Sequence, residues 1–192
     1  MSALPLGDSL AKYVLLADDY PQIREWLKFV LESSGFVVDA EAANGREAVF
    51  MTRRYQPDLV IMDLQMPELN GLKAAQMILG SFPATHVIML TTYASEPAVR
   101  EGLRIGIRGF VAKNGRSQAV LEAIASVLDG KTYIGPEFDR IAREKLPIHN
   151  GIIRRNLALA RTQPFAYHPV SPAYHPVGYS GRLRGYESPD RA

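Results

Sequence analysis

Three carboxylates stand where two apolar segments of the chain end. The pair Asp18-Asp19 follows the apolar run 14–17, and Asp63 closes a second run, 59–62. If these runs are neighbouring strands of a parallel sheet, the three side chains meet at one sheet edge. Such a cluster repels itself and calls for a divalent cation. With a cation in place, one carboxylate can act as a nucleophile toward phosphorus.

The elements that must position these groups are short apolar runs alternating with helical patterns. The first helical segment repeats apolar residues at i, i+3, i+4, i+7 and i+8, with Pro21 in its first turn and Gly35 as its stop. Asn44, Asn70 and Ser95 are predicted to cap the next three helices at their N-termini. The predicted strands are residues 13–17, 37–40, 59–62, 87–91 and 109–112.

Five strand–helix units in succession predict the α/β class, with a five-stranded, doubly wound parallel sheet and helices on both faces. Ligands bind such sheets beyond the carboxyl ends of the strands. Five polar residues fall at or just past predicted strand ends: Asp18, Asp19, Asp63, Thr91 and Lys113.

Composition excludes several classes of protein. The 192 residues are 47% hydrophobic and 22% charged, which is ordinary for a soluble globular protein. Zero cysteines exclude disulfides and cysteine-based zinc sites. No apolar stretch reaches the roughly 18 residues that a membrane span needs, and residues 1–8 lack the pattern of a signal peptide. We therefore expect a cytoplasmic protein without a membrane segment.

The order and spacing of several motifs resemble the receiver domain of a two-component response regulator, which has a flavodoxin-like fold. The motifs are Asp18-Asp19 after the first strand, Asp63 after the third, Met66-Pro67-Glu68-Leu69-Asn70-Gly71 behind it, Thr91 after the fourth, and Gly109-Phe110-Val111-Ala112-Lys113 as the fifth. The resemblance covers about 60% of the chain. The predicted receiver domain spans residues 10–130.

The resemblance implies phosphotransfer chemistry. Asp63 would be the phosphoacceptor, attacking the phosphohistidine of a sensor histidine kinase. Asp18, Asp19, Asp63 and the backbone carbonyl of Gln65 would hold Mg²⁺ or Mn²⁺. The protein would not be an enzyme in the usual sense but a phosphoacceptor that promotes its own phosphorylation and dephosphorylation.

The resemblance also implies a switch. Lys113 would pair with the phosphoryl group as a point charge, and Thr91 would donate its hydroxyl to a phosphoryl oxygen. Thr92, next to Thr91 in the sequence, is also among the residues expected to bind the phosphoryl group or act in the switch. Phe110 would swing inward when Thr91 moves. Phosphorylation would then change a surface made by the fourth helix, the fifth strand and the fifth helix. Contacts through that surface would include homodimerisation.

One departure points to a subgroup. Receivers commonly carry Pro directly after the lysine, whereas Asn114 follows Lys113 here. In lacking this Pro, the chain is similar to receivers of the NarL/LuxR type, which precede a helix-turn-helix domain. That DNA-binding domain is not recognisable, however, and six prolines fall between 147 and 189. We expect a degenerate or missing output domain: a linker over 131–162 with one or two short helices, then a Pro-, Tyr- and Arg-rich tail over 163–192, largely disordered.

Two alternative functions remain. Residues 1–136 hold 13 Lys and Arg against 15 Asp and Glu, whereas residues 137–192 hold 9 against 5. The first alternative is therefore a transcriptional regulator that binds DNA through a divergent basic C-terminal segment. The second is a phosphatase of the haloacid-dehalogenase type. It is disfavoured because such enzymes need a second Asp two residues after the nucleophile, where this chain has Gln65.

Overall fold

Each predicted strand pairs with its neighbours in one parallel sheet. The computed structural model describes residues 12–93, 95–114 and 116–138, and the account below refers to these. The strands are β1 (Tyr13–Ala17), β2 (Val37–Ala42), β3 (Leu59–Met62), β4 (His86–Thr91), β5 (Gly109–Ala112) and β6 (Tyr133–Ile134). The α-helices are α1 (Pro21–Glu32), α2 (Gly45–Tyr55), α3 (Gly71–Ser81), α4 (Glu96–Ile105) and α5 (Ser117–Leu128).

The strand order β2-β1-β3-β4-β5-β6 explains why the acidic residues meet. Strand β1 lies between β2 and β3, so β1 and β3 are side by side and Ala17 pairs with Met62. The residues that follow these two strands therefore emerge next to each other. This reversal of strand order is where doubly wound sheets bind ligands.

The core has two apolar layers, one on each side of the sheet. One layer packs against α2, α3 and α4, and the other against α1 and α5. The central strands β3 and β4 are almost wholly buried because helices cover both faces. A sheet enclosed in this way holds the strand ends rigidly, as a preorganised site requires.

The predicted helix caps are confirmed. Asn44 Oδ1 accepts a hydrogen bond from Glu47 N at 2.8 Å, and the Glu47 carboxylate accepts one from Ala43 N at 2.8 Å. Asn70 accepts from Lys73 N, and Ser95 accepts from Ala98 N. The three capping side chains, Asn44, Asn70 and Ser95, each satisfy a backbone N–H that the first turn of a helix leaves free.

The prediction of five strands is wrong, because a sixth strand follows β5. Tyr133 N donates to the carbonyl of Arg108 and Gly135 N donates to that of Phe110, both at 2.8 Å. A 3-10 helix, Pro136–Phe138, then buries the Phe138 ring. The sheet therefore continues into the segment predicted as linker. The remaining predicted linker and tail, 139–192, lie outside the described residues.

Strand β2 contains one extra residue. Val14 pairs with Val38, but Leu15 pairs with Ala40, so Asp39 is inserted into the ladder. Val38 packs in the layer beside α1, whereas Ala40 and Ala42 pack in the opposite layer. The bulge thus reverses the side to which each later side chain of β2 points.

Among the described residues, no helix is both long enough and apolar enough to cross a membrane.

Candidate functional site

The structure brings together the three carboxylates that the sequence predicts to converge. One oxygen each from Asp18, Asp19 and Asp63 lies within 4.8 Å of the others. Asp18 and Asp63 are 1% and 5% exposed. The position of Asp63 follows from the sheet, because Asp63 N donates to the Ala17 carbonyl at 2.8 Å and extends the β1–β3 ladder by one bond.

Lys113 supplies the positive charge of this cluster. Its Nζ lies 2.7 Å from Asp18 Oδ2 and 3.0 Å from Asp63 Oδ2, and its side chain is only 10% exposed. Lys113 N donates to the Thr91 carbonyl, which aligns the end of β5 with that of β4. Burial alone would lower the pKa of Lys113, but its contacts with Asp18 and Asp63 outweigh burial and raise that pKa. The lysine is therefore cationic.

For Asp63, in contrast to Lys113, burial affects the pKa more than the neighbouring opposite charge does. Burial raises the pKa of Asp63 above its ordinary value, and the charge of Asp18 acts in the same direction. Lys113 and the Gln65 backbone favour the ionised form but do not cancel the effect of burial. One ammonium group faces three carboxylates, so the cluster has negative charge left to neutralise.

The donor set fits a divalent cation. Asp19 Oδ1 is buried and has no hydrogen-bond partner in the described part of the chain, a costly state for a carboxylate oxygen. Asp18 Oδ1, by contrast, already accepts from Tyr20 N at 3.0 Å. Mg²⁺ and Mn²⁺ prefer oxygen ligands of this kind. The Gln65 side chain is exposed, and a ligand role for its carbonyl stays a prediction.

Of the predicted switch residues, Lys113 contacts the cluster, whereas no hydrogen bond or ion pair among the described residues joins Thr91, Thr92 or Phe110 to the three carboxylates. The Thr91 hydroxyl is buried and donates to the Tyr93 carbonyl at 3.0 Å, within its own loop. Thr92 is exposed. Phe110 is fully buried under α4, where a Cβ added to Gly102 would lie 2.5 Å from its ring. The ring therefore occupies the inward position, and the roles of these residues stay predictions.

The loop that follows Asp63 is fixed by close backbone packing. A Cβ on Gly71 would overlap the Asp63 carbonyl oxygen, and Gly71 N donates to Leu64 O at 2.9 Å. A Cβ on Gly45 would likewise overlap the Leu69 carbonyl. Glu68 adopts a left-handed conformation with φ 62°. The motif 66–71 thus needs its glycine for close approach of two backbones.

Sequence reasoning missed one residue beside the site. Arg24 Nη1 donates to the Asp18 carbonyl at 2.6 Å, and Arg24 Nε donates to Glu41 Oε2 at 3.1 Å. Arg24 was visible only as a polar residue of an amphipathic helix. Its contact with Glu41 depends on the bulge in β2, which no sequence pattern signalled.

Known proteins resemble this chain over the region that contains the sheet and the acidic cluster. The sequence model of the response regulator receiver domain matches residues 14–125. The chain is 34% identical over 119 residues to the uncharacterized transcriptional regulatory protein YxjL of Bacillus subtilis, covering 62% of this chain and 55% of YxjL. It is 38% identical over 119 residues to the chemotaxis protein CheY of Halobacterium salinarum, covering 62% of this chain and 98% of that protein.

A solved structure agrees with the sequence relatives. The crystal structure of a two-component response regulator of the LuxR family from Aurantimonas sp. SI85-9A1 matches with a TM-score of 0.65 and 28% identity, covering 70% of this chain and 98% of that one. The chain spans about half the length of YxjL, so the likeness to YxjL concerns the receiver portion. Fold, site and relatives together place this chain in the family of two-component response regulator receiver domains.

Proposed function

We propose that this protein is a cytoplasmic response regulator whose Asp63 accepts a phosphoryl group from the phosphohistidine of a sensor histidine kinase. The observation that carries the proposal is the convergence of Asp63 with two further carboxylates and Lys113 at the carboxyl ends of β1, β3 and β5. If the three aspartates only formed unrelated turns, the buried Asp19 Oδ1, which has no hydrogen-bond partner among the described residues, would have no explanation.

In the transfer step, an Asp63 carboxylate oxygen forms a bond to phosphorus as the bond from phosphorus to the histidine nitrogen breaks. The electron pair of that bond goes to the leaving imidazole. Lys113 favours the ionised form of Asp63, although burial has the larger effect on the pKa, and it then lies next to the incoming negative oxygens. Asp18 and Asp19 would hold Mg²⁺, which when bound neutralises charge on the phosphoryl oxygens. The chain supplies position and charge.

Phosphorylation adds about −1.5 to −2 charges beside Lys113. Lys113 is now shared between Asp18 and Asp63, so the new charge competes with Asp18 for it. The Thr91 hydroxyl would have to leave the Tyr93 carbonyl to reach a phosphoryl oxygen. We propose that this exchange shifts the population of conformations at the face formed by α4, β5 and α5, and that homodimerisation uses this face.

Labelling with acetyl phosphate tests the proposal. The full chain should become phosphorylated only when Mg²⁺ or Mn²⁺ is present, and Asp63→Asn should remove the label. Asp58→Asn is the matched control, because Asp58 immediately precedes the same strand at its opposite end, where its side chain accepts from Tyr13 N. Asp58→Asn should be labelled like the wild type. Continued labelling of Asp63→Asn, or labelling with metal chelated, would refute the assignment.

The family likeness to a transcriptional regulatory protein favours a second candidate function, regulation of transcription by DNA binding through the basic C-terminal segment. Apart from Glu137 and Phe138, that segment lies outside the described residues. Duplex binding by the full chain, measured by fluorescence anisotropy at two salt concentrations, tests it. Phosphate contacts predict a steep fall in affinity as salt rises. The absence of binding at low salt would exclude this function for the chain and leave protein contacts as its output.

A further inference from the structure

We propose that Arg24 is a positioning residue for the cation-binding side of the site. It holds the peptide bond between Asp18 and Asp19 and thereby sets the direction of the Asp19 carboxylate. The inference rests on the proposed function, because it concerns Mg²⁺ binding by the same cluster. Arg24 itself touches none of the three carboxylates of that cluster in the hydrogen bonds and ion pairs of the described residues.

The contacts of Arg24 are short and come from two sides of one planar group. Nη1 donates to the Asp18 carbonyl at 2.6 Å, and Nε donates to Glu41 Oε2 at 3.1 Å. The side chains of Arg24 and Glu41 are 16% and 23% exposed, so this pair is largely removed from solvent. Because the guanidinium is rigid, two simultaneous bonds fix its plane as well as its position.

The bulge in β2 is what makes this contact available. In a regular strand, Glu41 would point to the side of the sheet opposite Val38, away from α1. The extra residue Asp39 reverses that alternation and brings the Glu41 carboxylate beneath Arg24 and Lys28. Bulges that redirect one side chain are frequent beside functional sites. The edge strand thereby anchors the first turns of α1.

The carbonyl that Arg24 holds, that of Asp18, lies between two of the three carboxylate residues in the chain. It belongs to the peptide bond that leads into Asp19, so its orientation limits where the Asp19 side chain can point. The Asp18 side chain is fixed separately, by Tyr20 N and by Lys113. Asp19 Oδ1 stays buried with no hydrogen bond from any residue that the structure describes, although repulsion from its neighbours favours exposure to water. A restraint on the backbone is therefore needed, and Arg24 provides it.

Positioning and simple electrostatics predict opposite effects. Arg24 is a cation near a cation site, so on charge alone its removal should strengthen Mg²⁺ binding. If Arg24 acts by holding the loop, its removal should weaken binding. Lys28 offers a matched control, since its Nζ lies 3.5 Å from Glu41 Oε1 on the same helix. No hydrogen bond or ion pair among the described residues links Lys28 to the Asp18-Asp19 loop.

Calorimetric titration of the full chain with Mg²⁺ tests the proposal. Arg24→Gln should raise the Kd for Mg²⁺ by roughly 10-fold, the low end of the loss seen when groups that orient metal ligands are removed. Lys28→Gln should leave the Kd unchanged or lower it. Arg24→Lys keeps the charge but cannot reach both partners, so it should weaken binding like Arg24→Gln. Equal Kd values for wild type, Arg24→Gln and Arg24→Lys would overturn the proposal.

A second readout needs neither metal nor phosphoryl donor. Tyr20 N donates to Asp18 Oδ1. Hydrogen exchange at this amide therefore reports the order of the loop in protein kept metal-free by a chelator. Exchange at Tyr20 should be faster in Arg24→Lys than in Lys28→Gln, whereas equal rates would count against the restraint. If wild-type protein binds Mg²⁺ and the Arg24 variants match it, only this inference fails. If the wild type binds no Mg²⁺ and takes no label, the proposed function fails with it.

Discussion

Asp63 is a carboxylate held in surroundings that disfavour its charge. Burial raises its pKa, and the nearby Lys113 only partly offsets that effect. A group whose pKa is higher in the folded than in the unfolded chain stabilises the fold at low pH, and that contribution is lost as the pH rises through the folded-state pKa. Near neutral pH, without metal, ionised Asp63 therefore costs the fold free energy.

We predict that Asp63→Asn raises the melting temperature of the metal-free protein near neutral pH, because the substitution removes that cost. The gain should shrink as the pH falls and vanish below about 3.9, where the aspartate is protonated in folded and unfolded chains alike. Thermal unfolding followed by circular dichroism measures it. Added Mg²⁺ should stabilise the wild type more than the variant. A lower melting temperature for the variant at neutral pH would show that the Lys113 contact outweighs burial.

The start of α3 packs directly against the backbone of Asp63. Two glycines of this helix offer a matched pair, because a Cβ on Gly71 would overlap the Asp63 carbonyl, whereas a Cβ on Gly80 would meet open space. We predict that Gly71→Ala destabilises the fold and slows labelling of Asp63, since the Asp63 backbone must move. Gly80→Ala should instead be neutral or stabilise the fold by up to about 1 kcal/mol.

Urea unfolding and the rate of labelling by acetyl phosphate measure these two variants. Gly71→Ala with wild-type rate and stability would mean that the Asp63 loop tolerates displacement, contrary to the close packing seen at the start of α3.

How far the sequence predicts these elements depends on the size of each signal. Strands β1 to β5 are mostly apolar segments of four residues or more, so their pattern reveals them, apart from one or two residues at the ends of β2 and β4. Strand β6 is only Tyr133–Ile134, and its pairing uses the carbonyls of Arg108, just before β5, and of Phe110 within β5. A short strand that depends on a neighbour's backbone leaves no periodic signal of its own.

The acidic cluster was predictable from the topology, because a doubly wound sheet places the carboxyl ends of its parallel strands on one edge. The contact between Arg24 and Glu41 was not predictable, because it depends on the one-residue insertion at Asp39. Sequence alternation assigns Glu41 to the wrong face. Side-chain direction beyond a bulge is information that only the paired strands contain.

At the scale of the whole molecule, β6 and the 3-10 helix extend the receiver past its fifth helix. Phe138 is 5% exposed and shares an apolar cluster with Phe110 and Ile107. The segment 133–138 is therefore part of the folded core. Phe110, which is predicted to act in the switch, lies in the same apolar cluster as Phe138, the last residue of this segment.

We predict that Phe138→Ala lowers the free energy of unfolding by about 3 kcal/mol, the lower end for a buried phenylalanine, because the residue ends a short helix. Glu137→Ala, at the exposed neighbouring position, should change it by no more than about 0.5 kcal/mol. Urea unfolding of the full chain measures both. A similar small change for both variants would show that the segment contributes little to the core.

The acceptor cluster draws on three strand ends that are far apart in the chain, with Lys113 the last to be synthesised. A polypeptide still emerging from the ribosome thus lacks the complete cluster, even after Asp63 has been made. Misfolded copies lack it too, because the lysine and the aspartates meet only in the finished sheet. Under the proposed function, phosphotransfer would consequently be confined to native molecules, and damaged copies would take no phosphoryl group from a kinase.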